Sequence, residues 1–577
     1  MIKYKITWII YNPCYFNEKK VQIIMRIYIN AFTLLYRSKI LLFSIIMSTF
    51  FVIWQTLSVY GSKIITVPLG NAMTLSIYLF IMFMLVTFEY MKKMYNNGVA
   101  ETFLITLKGK KRKNYIASFL VMTTFAIIIS VFMLIIVINE FLFYKVSDPN
   151  REYISHIVKN IFLNSFLVME LAIVIGITLS IIKKRIVSYV IMTVFILATC
   201  PFATKIASLI MESSLNSWKP GRVAFQIISH FYIVPRFNID YLPEAAFGES
   251  LLPDRFFIIF FWMFLFLFFI CITRKIKKIH VIMICLSLIM LIAFHLPIAR
   301  MNYGMDIYYG GDPEWMNIGN NSNLKEDGGF EITKYDMNMS LNINLRAKVS
   351  MDVSKSLDEY KMTLYKDYKV HSVKDQNGNK LKFSQKGNYL NIKNSSKNNI
   401  SKIIVDYAGN NMTYYANYQC CFLPGYYLYY PRAGYIPVID NTYGYIYYNF
   451  VNEETEFNVK IDHPERYISN LELDNGEFKG KCDGFTLLKG FYKKKELGNG
   501  NTLVYPYLDN FIVHDGKMSE EECWKEVFEI SIPELEKDDV KDTMLFFDNA
   551  LSIDQGWAYG KNQIFIQSEP PFYLSLN

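Results

Sequence analysis

Nucleophiles, acids and metal ligands are sparse in this chain. Its seven histidines are followed by Ile157, Phe231, Val281, Leu296, Ser372, Pro464 and Asp515. None precedes a Glu, so H-E-x-x-H, which sets two zinc-binding imidazoles and a general base on one helix face, does not occur. The phosphate cradle G-x-x-x-x-G-K-[ST] does not occur either, which leaves no backbone nest and Lys to hold a triphosphate. Of the eight cysteines, Cys420, Cys421, Cys482 and Cys523 lie in the polar second half. Their spacing fits no metal framework, and adjacent Cys420 and Cys421 cannot readily both join ordinary disulfides. Catalytic, cofactor and metal residues are therefore expected to be none.

Other residues suggest binding or coupling. Glu170 and Lys205 lie inside apolar runs, with Glu89 near the end of another and His295 near the end of a third. A charge in hydrocarbon marks either an ion path or a paired structural contact, and a Glu170 to Lys205 pair fits the structural role better. Tyr426, Tyr427, Tyr429 and Tyr430 are close in sequence to Tyr443, Tyr445, Tyr447 and Tyr448. They offer rigid contact area for a peptide or glycan, or else ordinary strand packing. In the run GVAETFLITLKGKKRKN, Val99, Phe103, Leu104 and Leu107 share one helical face ahead of a basic cluster. That helix either lies on anionic lipid or docks a cytoplasmic protein.

The elements that position these residues follow from the distribution of apolar residues. The chain has 577 residues, 52% of them hydrophobic, and its long uncharged runs almost all precede Arg300. Candidate spans fall near 40–61, 73–91, 115–139, 160–182, 186–210, 256–273 and 279–299. Lys92, Lys93, Lys108 and Lys110 to Lys113 with Arg112, then Lys183 to Arg185, then Arg274 to Lys278, mark the cytoplasmic loops. The alternate loops, from Ser62 to Ala72, Phe141 to Lys159 and Glu212 to Asp254, are poorer in Lys and Arg. An odd number of spans carries everything after Arg300 outside. The net charge of +9 sits at the ends of apolar runs, which argues against nucleic acid and for a bilayer.

Before the first span, MRIYINAFTLLYRSK sets Ile27, Phe32, Leu34 and Leu35 against Arg26, Arg37 and Lys39, the pattern of an interfacial helix starting at Met25. Met1 and Met25 both remain candidate starts, and no cleavable signal is expected. After Asp327, short alternating runs are punctuated by Asn-Gly and Lys-Gly. In YKVHSVKDQNGNKLKF, Tyr368, Val370 and Val373 lead to a turn at Asn377 and Gly378, from which Leu381 and Phe383 return as a hairpin. The expected fold is thus a membrane all-α bundle of about seven transmembrane helices followed by an extracytoplasmic β-sandwich-like domain. Its parts are an N-terminal segment (1–39), a permease-like bundle (40–300), a linker (301–329), a β domain (330–510) and an extension (511–577).

Met25 to Lys39, the helix around Val99 to Leu107 and the external loop Glu212 to Asp254 together resemble the permease subunits of type-two ABC exporters. Those have an interfacial helix, six spans, a cytoplasmic coupling helix between the second and third spans, and a partly re-entrant external segment between the fifth and sixth; a seventh span is added here. The resemblance implies a separate ATP-binding subunit as partner, ATP bound there and not in this chain, a second permease copy or homologue, and a transported peptide or amphipathic compound. It places Val99, Phe103, Leu104 and Leu107 in the ATPase-coupling helix.

VHSVKDQNGNKLKF, IIVDYAGN, FLPGYYLYYP, FNVKIDHPERYISN and GFTLLKGFY, within residues 330 to 495, resemble the N-terminal β-domain of aminopeptidase N-like gluzincin peptidases. Bacterial exporter permeases fused to such modules are similar. The catalytic part of that family needs the zinc motif that this sequence lacks, and Asn577 lies about where it would begin. The resemblance implies a non-catalytic external domain in the cell membrane protein. A membrane-anchored sensor or scaffold without transport is the alternative.

Overall fold

The computed structural model describes residues 28–58 (other than 30 and 34), 66–96, 112–143, 151–200, 233, 253–273, 279–295, 324–395, 399–409, 414, 416–440, 445–451, 454–498, 500–506, 540–548 and 557–567. The chain divides, mainly at Ala299–Arg300, into a helical unit and a sheet unit.

Long uncharged apolar runs have little choice but helix when they must satisfy their own backbone groups. The helical unit contains α1 (Lys39–Ser58), α2 (Thr66–Asn96), α3 (Arg112–Phe143), α4 (Arg151–Ile161), α5 (Leu167–Ser180), α6 (Arg185–Thr199), α7 (Pro253–Thr273) and α8 (Ile279–His295). Each of the seven apolar runs coincides with a helix in its described part. Among the described residues, four stretches, Leu75–Asn96, Tyr115–Asn139, Ile154–Ser180 and Arg255–Ile272, are long and apolar enough to cross a membrane. A fifth is reached if Ala31–Arg37 and Leu42–Trp54, which meet at 85°, are taken together. The shorter α6 and α8, of 15 and 17 residues, do not reach that length within their described extents.

A π-helical turn, Phe162–Phe166, joins α4 to α5 into one continuous helix. Every residue of α5 is buried. Gly176 explains how α2 comes so close: a Cβ there would lie 2.7 Å from Met84 O and 2.9 Å from Thr87 Cβ. α3 packs along α4, the π turn and α5, and α7 packs against α5 and α8.

The sheet unit has β1 (Ile332–Leu341), β2 (Leu345–Val353), β3 (Glu359–Thr363), β4 (Tyr368–Asp375), β5 (Lys382–Lys386), β6 (Tyr389–Lys393), β7 (Lys402–Gly409), β8 (Cys421–Leu423), β9 (Arg432–Ala433), β10 (Ile439–Asp440) and β11 (Tyr445–Ile446). It continues with β12 (Thr455–Ile461), β13 (Ile468–Ser469), β14 (Glu472–Asp474), β15 (Glu477–Cys482), β16 (Leu487–Lys489), β17 (Tyr492–Gly498), β18 (Asn501–Pro506), β19 (Met544–Asp548), β20 (Trp557–Tyr559) and β21 (Gln563–Gln567). The main sheet runs β14-β15-β12-β1-β2-β7-β4, with β1 and β12 parallel. Smaller sheets run β5-β6-β3-β9, β13-β16-β8 and β10-β11, and β17-β18-β19-β21-β20 joins residues 492–506 to 544–567.

Alternation decides the faces. Tyr335, Met337 and Met339 of β1, Leu345, Ala347, Val349 and Met351 of β2, and Ile403, Val405 and Tyr407 of β7 enter one core shared with Tyr360, Met362, Leu390 and Ile392 of the second sheet. On the opposite face, register aligns Glu456, Lys334, Asp352 and Lys402 in one row across β12, β1, β2 and β7. Lys334 Nζ meets Glu456 Oε1 at 2.6 Å, and Lys402 Nζ meets Asp352 Oδ1 at 3.2 Å.

The Asn377–Gly378 turn forms as expected, and its flanking strands pair across it before they separate. Asp375 Oδ1 accepts the amides of Asn377 at 2.9 Å and Asn379 at 2.8 Å, a local bend that needs no long ladder. β4 then adds to β7 in the main sheet while β5 adds to β6 in the other. The expected hairpin thus closes only at its tip, through the antiparallel Lys374–Lys380 bridge and the bonds from Asp375 N–H to Asn379 O at 3.0 Å and Leu381 N–H to Val373 O at 2.9 Å, and beyond it the strands part into two sheets where each finds a longer ladder.

Candidate functional site

Glu170 sits in the first turn of α5, only 5% exposed. Its Oε2 accepts a hydrogen bond from Thr123 Oγ1 of α3 at 3.0 Å, while Oε1 has no hydrogen-bond partner among the described residues. One turn and a half earlier, Asn164 Nδ2 donates to Asn160 Oδ1 at 2.7 Å. Asn164 Oδ1, Ser165 Oγ, Ser130 Oγ on α3 and Thr87 Oγ1 on α2 are likewise buried without partners among the described residues. The helix opens here: Leu167 N–H bonds to Phe162 O, five residues back, the hydrogen bond of a π turn. Lys205, the expected partner of Glu170, lies outside the described residues.

At the end of α2 a second polar group ties helices together. Arg185 at the start of α6 pairs with Glu89 Oε2 at 3.1 Å, and the Tyr189 hydroxyl donates to Glu89 Oε1. Lys92 Nζ donates to the carbonyl of Ile182 in the turn before α6 and lies 5.7 Å from the Phe88 ring centre. Lys93 Nζ donates to Ser38 Oγ at 2.9 Å. This clasp stands where α2 leads toward the expected coupling helix; Val99, Phe103, Leu104 and Leu107 themselves lie outside the described residues.

The four expected surface tyrosines lie inside the sheet unit. Tyr426, Tyr427, Tyr429 and Tyr430 are all fully buried. Tyr429 donates its hydroxyl to Phe485 O at 2.5 Å, Tyr426 and Tyr414 share a hydroxyl contact at 2.5 Å, and Tyr407 donates to Tyr429 O at 2.8 Å. Arg432, also buried, stacks 4.4 Å from the centre of the Tyr430 ring and donates to Tyr430 Oη and to Gly425 O. Burial pushes the phenols of Tyr427 and Tyr429 well above their ordinary range. The expected surface is thus, for these four, the packing alternative: large rings fill the core, hydroxyl partners make the burial of Tyr426, Tyr429 and Tyr430 tolerable, and Tyr427 Oη has no partner among the described residues.

Cys420, Cys421 and Cys482 are free and buried, and burial pushes the Cys482 thiol up to about 12. Such thiols are poor nucleophiles. No group of three His, Cys, Asp or Glu side chains among the described residues could hold a metal.

A polar centre that sequence reasoning missed links β15 to the five-stranded sheet. Asp483, 1% exposed, accepts Lys561 N–H at 2.6 Å and Gln563 Nε2 at 2.7 Å. Thr486 Oγ1 donates to Gln563 Oε1 at 2.5 Å and accepts Gly425 N–H at 2.8 Å. No local motif announces a network whose members are some eighty residues apart.

No family model and no curated protein matches this chain. Solved structures do match in part. A mutant of the M1 zinc metallopeptidase from Deinococcus radiodurans, bound to a Tyr-Ser-Ala substrate, is 12% identical with a TM-score of 0.27; the match covers 42% of this chain and 61% of that one. Native yeast LTA4 hydrolase is 14% identical with a TM-score of 0.28, over 41% of this chain and 40% of that one. The yeast enzyme in complex with bestatin is 12% identical with a TM-score of 0.29, over 44% of each chain. The chain therefore spans 40–61%, less than two thirds, of the length of these proteins.

Proposed function

We propose that this chain is the membrane-spanning permease subunit of an ABC exporter, crossing the bilayer seven times and driven by a separate ATP-binding subunit. Its cargo is a peptide or amphipathic compound, and its sheet unit stands outside the cytoplasm. The observation that carries the reading is the clasp of Glu89, Lys92, Arg185 and Tyr189. It joins the end of α2 to the α5–α6 turn, and from α2 the sequence runs on through Val99 to Leu107 toward the basic cluster of Lys108 to Lys113. A push on that segment has a polar, directional route into the central helix. Helices at all seven apolar runs and the alternation of basic loops support the same topology.

The test is gentle extraction of the C-terminally tagged chain from native membranes and identification of what co-purifies. A stoichiometric ATP-binding cassette subunit is expected, and Phe103→Asp should release it or uncouple its ATPase from this chain. Recovery of a peptidase, or of nothing, would instead favour an anchored sensor or scaffold.

A further inference from the structure

The outer row of the main sheet alternates in sign across its strands, but the hairpin from β4 into β5 does the reverse. At its tip Lys374 stands directly opposite Lys380. The flanking bonds, Asp375 N–H to Asn379 O and Leu381 N–H to Val373 O, make this a non-hydrogen-bonded pair, the kind whose Cα atoms lie only about 4.5 Å apart. Two residues on, Lys382 stands directly opposite Lys393 of β6. Leu381 is buried between them, so by strand alternation Lys380 and Lys382 point away from the core together, about 7 Å apart. Lys374, Lys380, Lys382 and Lys393 therefore share one face across three strands, the last three of them exposed.

Like charges directly opposite each other destabilise a sheet. Carboxylates do not relieve these pairs, since none of the four lysines makes a salt bridge among the described residues. Asp375 turns its carboxylate to Asn377 and Asn379, and Glu359, opposite Lys393 on β3, accepts Asn391 Nδ2. Protection of an open sheet edge accounts for lysines on β5, the edge strand of its sheet. It does not account for Lys393, because β6 lies between β5 and β3.

Ammonium groups spread over an open sheet do not converge on one small ion. Each exposed contact contributes little, so several must act on one chain. Lysine is a point charge suited to phosphate oxygens, without the fork that a guanidinium offers to a carboxylate. The next pair on this face, Ser384 and Asn391, brings neither a ring to stack on bases nor an apolar side chain to enter a bilayer.

We propose that the outer face of β4, β5 and β6 docks a linear phosphodiester polymer through Lys374, Lys380, Lys382 and Lys393. The docking does not rest on the exporter reading, and no partner subunit is needed to test it.

The full chain, in nanodiscs of zwitterionic lipid, is titrated with fluorescently labelled poly(glycerol phosphate) at several salt concentrations. Saturable binding is expected, with log affinity falling against log salt at a slope of about −3, roughly 0.7 for each of four contacts on a flexible strand. Replacing all four lysines by glutamine should weaken binding roughly thirtyfold and flatten that slope. A control that removes as many charges from the exposed face of the main sheet, Arg346→Gln, Lys348→Gln, Lys460→Gln and Lys481→Gln together, should leave both nearly unchanged. Absence of saturable binding to the unaltered chain, or equal losses in the two variants, would overturn the proposal. Equal affinity for polyglutamate would overturn it in favour of an acidic peptide, and equal affinity for vesicles of anionic phospholipid in favour of a membrane surface.

Discussion

The side-chain amide of Gln563 donates to the carboxylate of Asp483 at 2.7 Å, a buried bond across eighty residues of chain. Around it, Lys561 N–H and Thr486 Oγ1 complete the hydrogen bonding of both side chains. Removing the acceptor frees Lys561 N–H toward solvent and leaves the buried Gln563 amide only its bond to Gly484 O at 2.8 Å. Asp483→Ala is expected to destabilise the sheet unit by about 2 kcal/mol. Gln563→Ala should cost less, about 1–2 kcal/mol, since the carboxylate keeps its Lys561 partner. Denaturant titration of the purified chain followed by tyrosine and tryptophan fluorescence measures both, and equal small losses would mean that the network is replaceable by water.

Close backbone approach sets the next expectation. A Cβ on Gly425 would lie 2.6 Å from Gly484 O, and one on Gly484 would lie 2.3 Å from Gly425 O. The obstacle in each case is main chain, which cannot rotate aside. Gly425→Ala should cost about 3 kcal/mol by overpacking, and pairing it with Gly484→Ala should give no rescue. Thermal melting of the three variants checks this.

The outer row of Glu456, Lys334, Asp352 and Lys402 alternates in sign across four strands. Lys334→Glu puts like charges opposite Glu456 and Asp352 and should destabilise by about 1 kcal/mol at low salt, shrinking in 1 M NaCl. The pH dependence has two limbs. The hydrogen bond from Lys334 holds the Glu456 carboxyl below its ordinary value, so this contribution is present above about pH 4.3 and lost on acidification through the lowered value. The same hydrogen bond raises Lys334, whose contribution holds below about pH 10.4 and is lost as pH rises through the raised value. Stability measured against pH in the unaltered chain and in Lys334→Met should differ between these limits and converge outside them.

Particular residues show what was legible in the sequence. The helices were, because an uncharged apolar run of eighteen or more residues leaves the backbone few alternatives. The Asn377–Gly378 turn was, because Asp375 and glycine act locally. The sheets to which β4 and β5 belong were not, since strand partners are chosen by distant apolar faces. Tyr426, Tyr427, Tyr429 and Tyr430 admitted a surface but fitted strand packing better; what decides is that distant carbonyls such as Phe485 O wait to receive a hydroxyl. In the helical unit Glu170 stood out by charge alone, whereas Thr123, its neutral partner on α3, carried no signal.

Gly176 offers the sharpest test of the packing around Glu170. It lies on α5 where α2 passes, and a Cβ there would meet Met84 O at 2.7 Å and Thr87 Cβ at 2.9 Å. The first of these is backbone, so α2 would have to move outward along with the end that carries Glu89 and Lys92. Gly176→Val should therefore lower the melting midpoint of the extracted chain and also loosen the clasp at Ile182 and Arg185. Cysteine cross-linking with a short bifunctional maleimide reads the second effect: a Glu89→Cys, Arg185→Cys pair, whose side-chain tips meet in the unaltered chain, should be bridged several-fold more slowly with Gly176→Val than without it. Unchanged cross-linking with a lowered midpoint would mean that α2 tilts locally at Thr87 and that its end is held independently of the central helix.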